Sequence, residues 1–347
     1  MRYVTGMFAL ALFALVAPGA NAADTLAGTT IYVNSYGGAF DDVLRETVAK
    51  PLKEKYGINV VYEPGTAMEA LSKAMATKGH SHLDVLMIDS ANMPTAIANG
   101  AIGKITEKDV PELRNLYAKA REFGDYGASY IFGPLVLSYN KERVKTPPAS
   151  YRDLLKPEYR GKIAIFNLEN NGGILTLAAL AADNGGSVAN MEPGFAALKK
   201  LKANIVATPA ANAALNQLFQ QNEATVAANW TGRILSLQAS GFPVEMVVPK
   251  EGIYSGLTYV NLVNGSAHRE AALKYIAQQI SPAAELGMAQ KFFYPPTNKL
   301  VKLTPDLAKK VVVYGPESIA KIRTLDWAAV AKHRSAWLEE WNRVMSQ

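Results

Sequence analysis

Read for the spacing of apolar and polar positions, the chain alternates short apolar runs with segments of helical period. Thr30–Ser35 (TIYVNS), dense in β-branched and aromatic residues, predicts a buried strand. After a glycine turn at Gly37 and Gly38, the residues Phe40, Val43, Leu44, Val48 and Leu52 recur at helical spacing. Asp41 and Asp42 stand where acids favour a helix start. Residues 58–62 (INVVY) predict a second strand, 69–77 a helix, 84–88 (DVLMI) a third strand, and 94–99 a helix ended by Gly100. Strands alternating with helices at this interval predict βαβ units on a parallel sheet.

The pattern then restarts. Residues 130–139 (YIFGPLVLSY) predict an extended run, broken by Pro147 and Pro148. Strands are predicted over 162–166, 225–229 and 244–248, and helices over 174–182 and 195–201, which makes a second α/β body. Residues 257–263 (LTYVNLV) are extended and lead to a helix over 270–280 with Ala271, Leu273, Tyr275 and Ile276 on its apolar face. A closing amphipathic helix over 327–344 assigns Trp327, Val330, Trp337, Leu338 and Trp341 to the core.

The first residues carry a separate signal. Arg2 is followed by an apolar run over 7–17, then by Pro18, Gly19 and the small-residue pattern Ala20, Asn21, Ala22. This predicts a secretory signal peptide over 1–22, cleaved before Ala23. The run is shorter than the ~20 apolar residues a spanning helix needs. No cysteine stands at the junction to take a lipid, so the expected product is soluble in the periplasm. The mature chain, about 325 residues, exceeds what one core ordinarily serves and predicts two compact bodies. The chain has no cysteine at all, which excludes disulfides, a reactive thiol and thiolate metal sites. Its formal charge of +6 is spread along the chain with no basic block interleaved with aromatics, so nucleic acid is not an expected partner. His80, His82, His268 and His333 lie in polar stretches without a second ligand at metal spacing. No phosphate loop, nucleophile elbow or dinucleotide fingerprint is present. An enzyme is not expected, and neither are catalytic residues, a metal or a cofactor.

Several segments in order resemble the polyamine-type periplasmic binding proteins: SYGGAF at 35–40, DVLMIDS at 84–90 and the long stretch at 133–166 that begins GPLVLSYNKERVKTPP. AANWTGR at 227–233, PKEGIYSG at 249–256 and YPPTN at 294–298 complete the set. The resemblance implies the type II periplasmic binding fold, with two Rossmann-like α/β lobes joined by two crossing strands and a ligand held between them. By that analogy, lobe 1 comprises 23–133 plus 257–303 and lobe 2 comprises 134–256 plus 304–347. The implied partners are a small-molecule ligand and the permease of an ABC transporter in the inner membrane, with the binding protein a monomer. A chemoreceptor would use the same outer surface.

In open parallel sheets, ligand-facing groups gather beyond the carboxyl ends of the strands. That rule and the resemblance select the same places. Ser35, Tyr36, Gly37 and Gly38 follow the first strand and open a helix whose N–H groups could hold an anion. Asp89 and Ser90 follow the third strand and could pair with an ammonium or hydroxyl, or cap the next helix. Asn170, Asn171 and Gly172 begin a second helix facing the cleft from the other lobe. Trp230, Thr231 and Arg233 combine an indole face with a guanidinium fork suited to carboxylate. Tyr254, Ser255 and Tyr294 complete the candidates. Polyamine binders of the family carry an aromatic and an acid after the glycine matching Gly252, but here the chain reads Ile253, Tyr254, Ser255, Gly256, Leu257. The missing acid, together with Arg233 and two helix starts, predicts a carboxylate-bearing or zwitterionic ligand resembling an amino acid. Putrescine or spermidine is the alternative, and ferric ion a further one.

Overall fold

The computed structural model describes residues 26–77 and 79–346. The expected signal peptide lies outside them. No helix among the described residues is long and apolar enough to cross a membrane.

Among the described residues nine strands occur in chain order. β1 (Thr30–Ser35), β2 (Asn59–Pro64) and β3 (Val85–Asp89) come first, then the 13-residue β4 (Ala128–Asn140). β5 (Ile163–Ala164), β6 (Ile205–Ala207), β7 (Val226–Trp230), β8 (Val244–Val247) and β9 (Tyr254–Leu262) complete them. Their order across the sheet is β2-β1-β3-β9-β4-β7-β5-β6, with β8 also on β4. The trios β2-β1-β3 and β6-β5-β7 are parallel; the alternation with helices predicts this for the first trio and for β5 with β7, whereas the short β6 is not predicted. The remaining pairings, those of β4, β8 and β9, are antiparallel. The two long strands cause this departure, because they pair with each other between the trios, β9 joining β3 on one side and β4 joining β7 on the other.

The apolar positions form separate cores. Ile31, Val33, Met87, Phe132, Tyr259 and Tyr275 belong to the first. Leu135, Leu137, Tyr151, Leu180, Val226 and Trp327 belong to the second, beside which Val136, Phe166, Phe219 and Ile234 form a smaller third. Along β4 the change of core falls between Phe132 and Leu135, and along β9 between Tyr254 and Leu257. The intervening residues pair directly, Gly133 with Gly256 and Pro134 with Ser255. This is the two-lobed type II periplasmic binding fold, two α/β bodies joined by a crossing strand pair. Val313, Ile319 and Ile322 pack into the first core, and the chain joins the second from Trp327 onward.

The closing helix, Trp327–Ser346, buries Trp327, Val330, Trp337 and Trp341, but Leu338 is 37% exposed. Trp337 and Trp341 are one turn apart on the inner face, and Leu338 is rotated about 100° from Trp337 to its edge. The helix over 39–56 runs through a π-helical turn at Arg45–Ala49. Thr66 and Glu69 form a reciprocal capping box at the helix Ala67–Ala76.

A buried carboxyl fixes the segment that follows the helix Pro282–Phe292. Glu285 accepts from the Thr297 and Asn298 N–H groups through Oε2, at 2.7 and 2.8 Å. The Thr297 hydroxyl oxygen lies 2.7 Å from the Ser129 carbonyl and 2.6 Å from Glu285 Oε1. One hydroxyl hydrogen cannot serve both contacts, so the second is satisfied when Glu285 carries a proton and donates it to Thr297. Burial raises the Glu285 pKa to about 8, in accord with that arrangement. Because the folded-state value lies above the unfolded one, this stabilisation is complete below about pH 4.5 and is lost as pH rises through about 8. Thermal melts of Glu285→Gln are expected to lack this slope and to match or exceed wild type at pH 8, since an amide donates and accepts at the same places. Glu285→Ala is expected to lose about 3 kcal/mol by leaving buried N–H groups unpaired.

Candidate functional site

A cleft of about 730 Å³ lies over the crossing strands and takes walls from both bodies. Gly133 and Gly256 border its floor, and the Trp230 indole rests against them. A Cβ placed on Gly256 would stand 3.5 Å from the indole, and one on Gly133 would stand 3.8 Å from it. The side chain that offers the largest flat face to a ligand therefore sits on the strands that connect the lobes.

The first-body wall comes from the ends of β1 and β3. Tyr36 is 39% exposed at the mouth and meets Phe40 edge-on at 5.1 Å. Phe40 continues to Phe292 at 5.9 Å, and Phe292 to Tyr294 at 5.7 Å, which makes a ladder of four rings. Asp89 ends β3 opposite Thr258 of β9, whose hydroxyl donates to Asp89 Oδ1 at 3.1 Å. Burial raises the Asp89 carboxyl above its ordinary range, and the Thr258 bond opposes this. Burial also raises the phenol of Tyr294, while Arg233 pulls it down and Asp89 pushes it up. The Tyr294 phenol thus feels the charges of both Arg233 and Asp89.

The turn before the first helix is already occupied. Gly37 N–H donates to Asp41 Oδ1 and the Ser35 hydroxyl to Asp41 Oδ2, both at 3.0 Å. The anion at this helix start is the chain's own Asp41, which leaves Tyr36 and Gly37 on the cleft surface and Ser35 beneath it. Gly38, exposed at φ 56°, shapes the turn without lining the cleft.

The second-body wall comes from the loop at 169–171 and the end of β7. Asn170 caps the helix Asn171–Asp183 by accepting from Gly172 N–H at 2.8 Å, and its amide nitrogen donates to the Ala210 carbonyl at 2.8 Å. It therefore builds the wall, and Asn171 beside it also faces the cleft. Gly172 lies behind, where a Cβ would come within 2.5 Å of Phe166. After β7 the helix Thr231–Ala239 has no side-chain cap. Its first turn, with Thr231 and Arg233, opens into the cleft. Among the described residues Arg233 has no ion-pair partner within 4.0 Å and no side-chain hydrogen bond within 3.5 Å.

The structure thus brings together Tyr36, Gly37, Asp89, Asn170, Asn171, Trp230, Thr231, Arg233 and Tyr294. It does not bring the others. Ser90 is buried and bonded to Leu257 across the sheet, and Ser255 donates to the Gly256 carbonyl at 2.8 Å. Tyr254 lines a separate cavity of about 460 Å³, under the Arg323 guanidinium. Residues not anticipated in the cleft include Phe40, Thr66, Asn92, Glu169, Asn212, Thr258, Phe292 and Arg334. Thr66 comes after β2, so the strand-end rule would have reached it, whereas Asn212 follows β6, a strand the apolar pattern does not predict. Arg334, in the last helix, gave no local signal.

A two-lobed fold with a polar and aromatic cleft over its connecting strands defines a solute-binding protein. The chain belongs to the family of bacterial extracellular solute-binding proteins, whose pattern it matches over residues 47–313. It is 24% identical over 267 residues to the spermidine/putrescine-binding periplasmic protein of Escherichia coli, spanning 74% of this chain and 76% of that one. It is also 24% identical over 329 residues to the gamma-aminobutyric acid-binding protein of Pseudomonas aeruginosa, spanning 91% and 90%. The crystal structure of an ABC transporter protein from Clostridium perfringens superposes with a TM-score of 0.81 at 25% identity, covering 91% of this chain and 99% of that one. The family is one of transport proteins, and the chain is the solute-binding component of such a system.

Gly232 holds the two walls close together. A Cβ there would stand 3.0 Å from the Phe292 carbonyl oxygen and 3.2 Å from Tyr294 Cε1. Backbone is the less yielding neighbour, so Gly232→Ala is expected to move the Tyr294 side of the cleft outward. The predicted result is an affinity weaker by about tenfold, on the order of 1.4 kcal/mol, for the best-bound solute in calorimetry, with the melting temperature little changed.

Proposed function

We propose that the chain works in the periplasm as the solute receptor of an ABC importer and that its ligand is a small zwitterion of the amino-acid class. One observation carries the ligand assignment. A guanidinium with no ion-pair partner among the described residues, at an uncapped helix start, and a desolvated carboxyl line the same cleft. Arg233 and the first-turn N–H groups of Thr231–Ala239 take the carboxylate in a forked, charge-assisted arrangement. Asp89 takes the ammonium, and the Trp230 face and the aromatic ladder cover the carbon chain between them. We assign the nine predicted residues that line the cleft as ligand contacts, with the lobe boundary crossing β4 at Gly133 and β9 at Gly256. The relatives' names support either end of this range, since one binds a diamine or triamine and another an ω-amino acid.

The pH behaviour stems from Asp89. With its pKa raised in the free protein, the carboxyl carries a larger share of protons than an exposed aspartate, and an ammonium stabilises the anion. Binding therefore releases protons and weakens as pH falls through the raised value. Titration calorimetry in buffers of different ionisation enthalpy is expected to show that release for the amino-acid ligand, and Asp89→Asn is expected to abolish it. A panel of amino acids, carboxylates and polyamines tests the class directly. Tight binding of putrescine or spermidine alone, with Arg233→Gln unaffected, contradicts the assignment.

A further inference from the structure

The closing helix, Trp327–Ser346, packs on the helix Glu192–Leu201 of the second body and on the helix Met93–Ala98 of the first. It thus touches both bodies, as the two crossing strands do. Half-way along it, Arg334 reaches the cleft beside Glu169 and Asn171. Its Nη2 donates to the Leu168 and Glu169 carbonyls, both at 3.3 Å, and these two bonds orient the planar group. A guanidinium has five N–H donors, so donors remain on Nε and Nη1. These have no hydrogen-bond partner among the described residues. No carboxylate among them lies within 4.0 Å of it, Glu169 included. Glu169 acts on it only from beyond that distance, and a half-buried, oriented cation with no directly bonded carboxylate, facing a ligand cleft, has donors to offer an anion.

We propose that Arg334 is the second oxyanion-binding group of the cleft and the residue that makes it prefer an acid-bearing ligand over a diamine. The inference rests on the zwitterion reading above and adds a second cation to it, supplied by a different element. Two guanidinium groups at the acid end, from Thr231–Ala239 and from the closing helix, draw the carboxylate toward the second body and away from Asp89. A diamine gains nothing from either and is repelled by both. The simpler alternative is that Arg334 only ties down the loop at 168–169. In that case its loss would disturb every ligand alike.

The test compares γ-aminobutyrate with putrescine, which share a short unbranched chain and differ in carboxylate against ammonium at one end. Calorimetric affinities are measured for wild type, Arg334→Gln and Arg334→Lys, each at a matched melting temperature. Arg334→Gln is expected to weaken γ-aminobutyrate by about tenfold or more while leaving putrescine unchanged or tighter. Arg334→Lys, which keeps the charge, is expected to retain most of the acid preference. Equal losses for both compounds, or no change for either, overturn the role of Arg334 while the zwitterion reading stands. Wild-type protein that binds putrescine but not γ-aminobutyrate, or neither, overturns that reading and this inference with it.

Discussion

The structure depends on two strands that each belong to two hydrophobic cores. β4 and β9 are anchored in the first body by Phe132 and Tyr259 and in the second by Leu135 and Tyr254. Between the anchors the Gly133–Gly256 pair carries no side chains, and the Trp230 indole fills the space they leave. Core packing at both ends fixes where the bodies lie, while the paired glycines leave the link between them thin. Closure about such a link is how a two-body fold captures a ligand. Here the aromatic face at the link is also a wall of the cleft.

The cleft results from the same arrangement. β1 and β3 deliver Tyr36 and Asp89 from one side, and β7 delivers Trp230 and the start of the next helix from the other. The polar groups are partitioned. Some are satisfied within the chain and shape the walls, as Asp41 does for the Gly37 N–H and Asn170 for its own helix. Others, above all Arg233, have no ion-pair or side-chain hydrogen-bond partner among the described residues and face the space between the bodies. Glu285 belongs to the first kind. Through Thr297 and Ser129 it holds the segment that carries Tyr294, so a buried carboxyl that does not line the cleft helps set the cleft's geometry.

Much of this was legible in the chain. The βαβ alternation identified the first parallel trio and, of the second, β5 and β7 but not the three-residue β6, while the strand predicted over 244–248 pairs antiparallel on β4. The strand-end rule and the family resemblance together reached nine of the cleft residues. The helices Asn212–Gln220, Thr231–Ala239 and Pro282–Phe292 were not anticipated. The last begins at a proline and mixes glycine, alanine and charge, so its apolar face is weak as a periodic signal. The antiparallel placement of β4 and β9 could not be read locally, because it depends on pairing partners more than a hundred residues apart. Ser35, Ser90 and Ser255 look like ligand groups by position, yet each hydroxyl has a partner inside the chain. Whether a polar group is free is a property of its neighbours, and the sequence around it does not record them. Arg334 illustrates the converse: an ordinary charge on an amphipathic helix reaches the cleft only because that helix packs across both bodies.

The most direct measurement is the electron density in the cleft of protein purified from its exported form without refolding. The account predicts a compact solute lying along Trp230, with its acid end at Arg233 and the start of Thr231–Ala239 and its amine at Asp89. A solute with a basic group at both ends lying across the same residues, or density lodged away from the floor formed by Gly133 and Gly256, would contradict it.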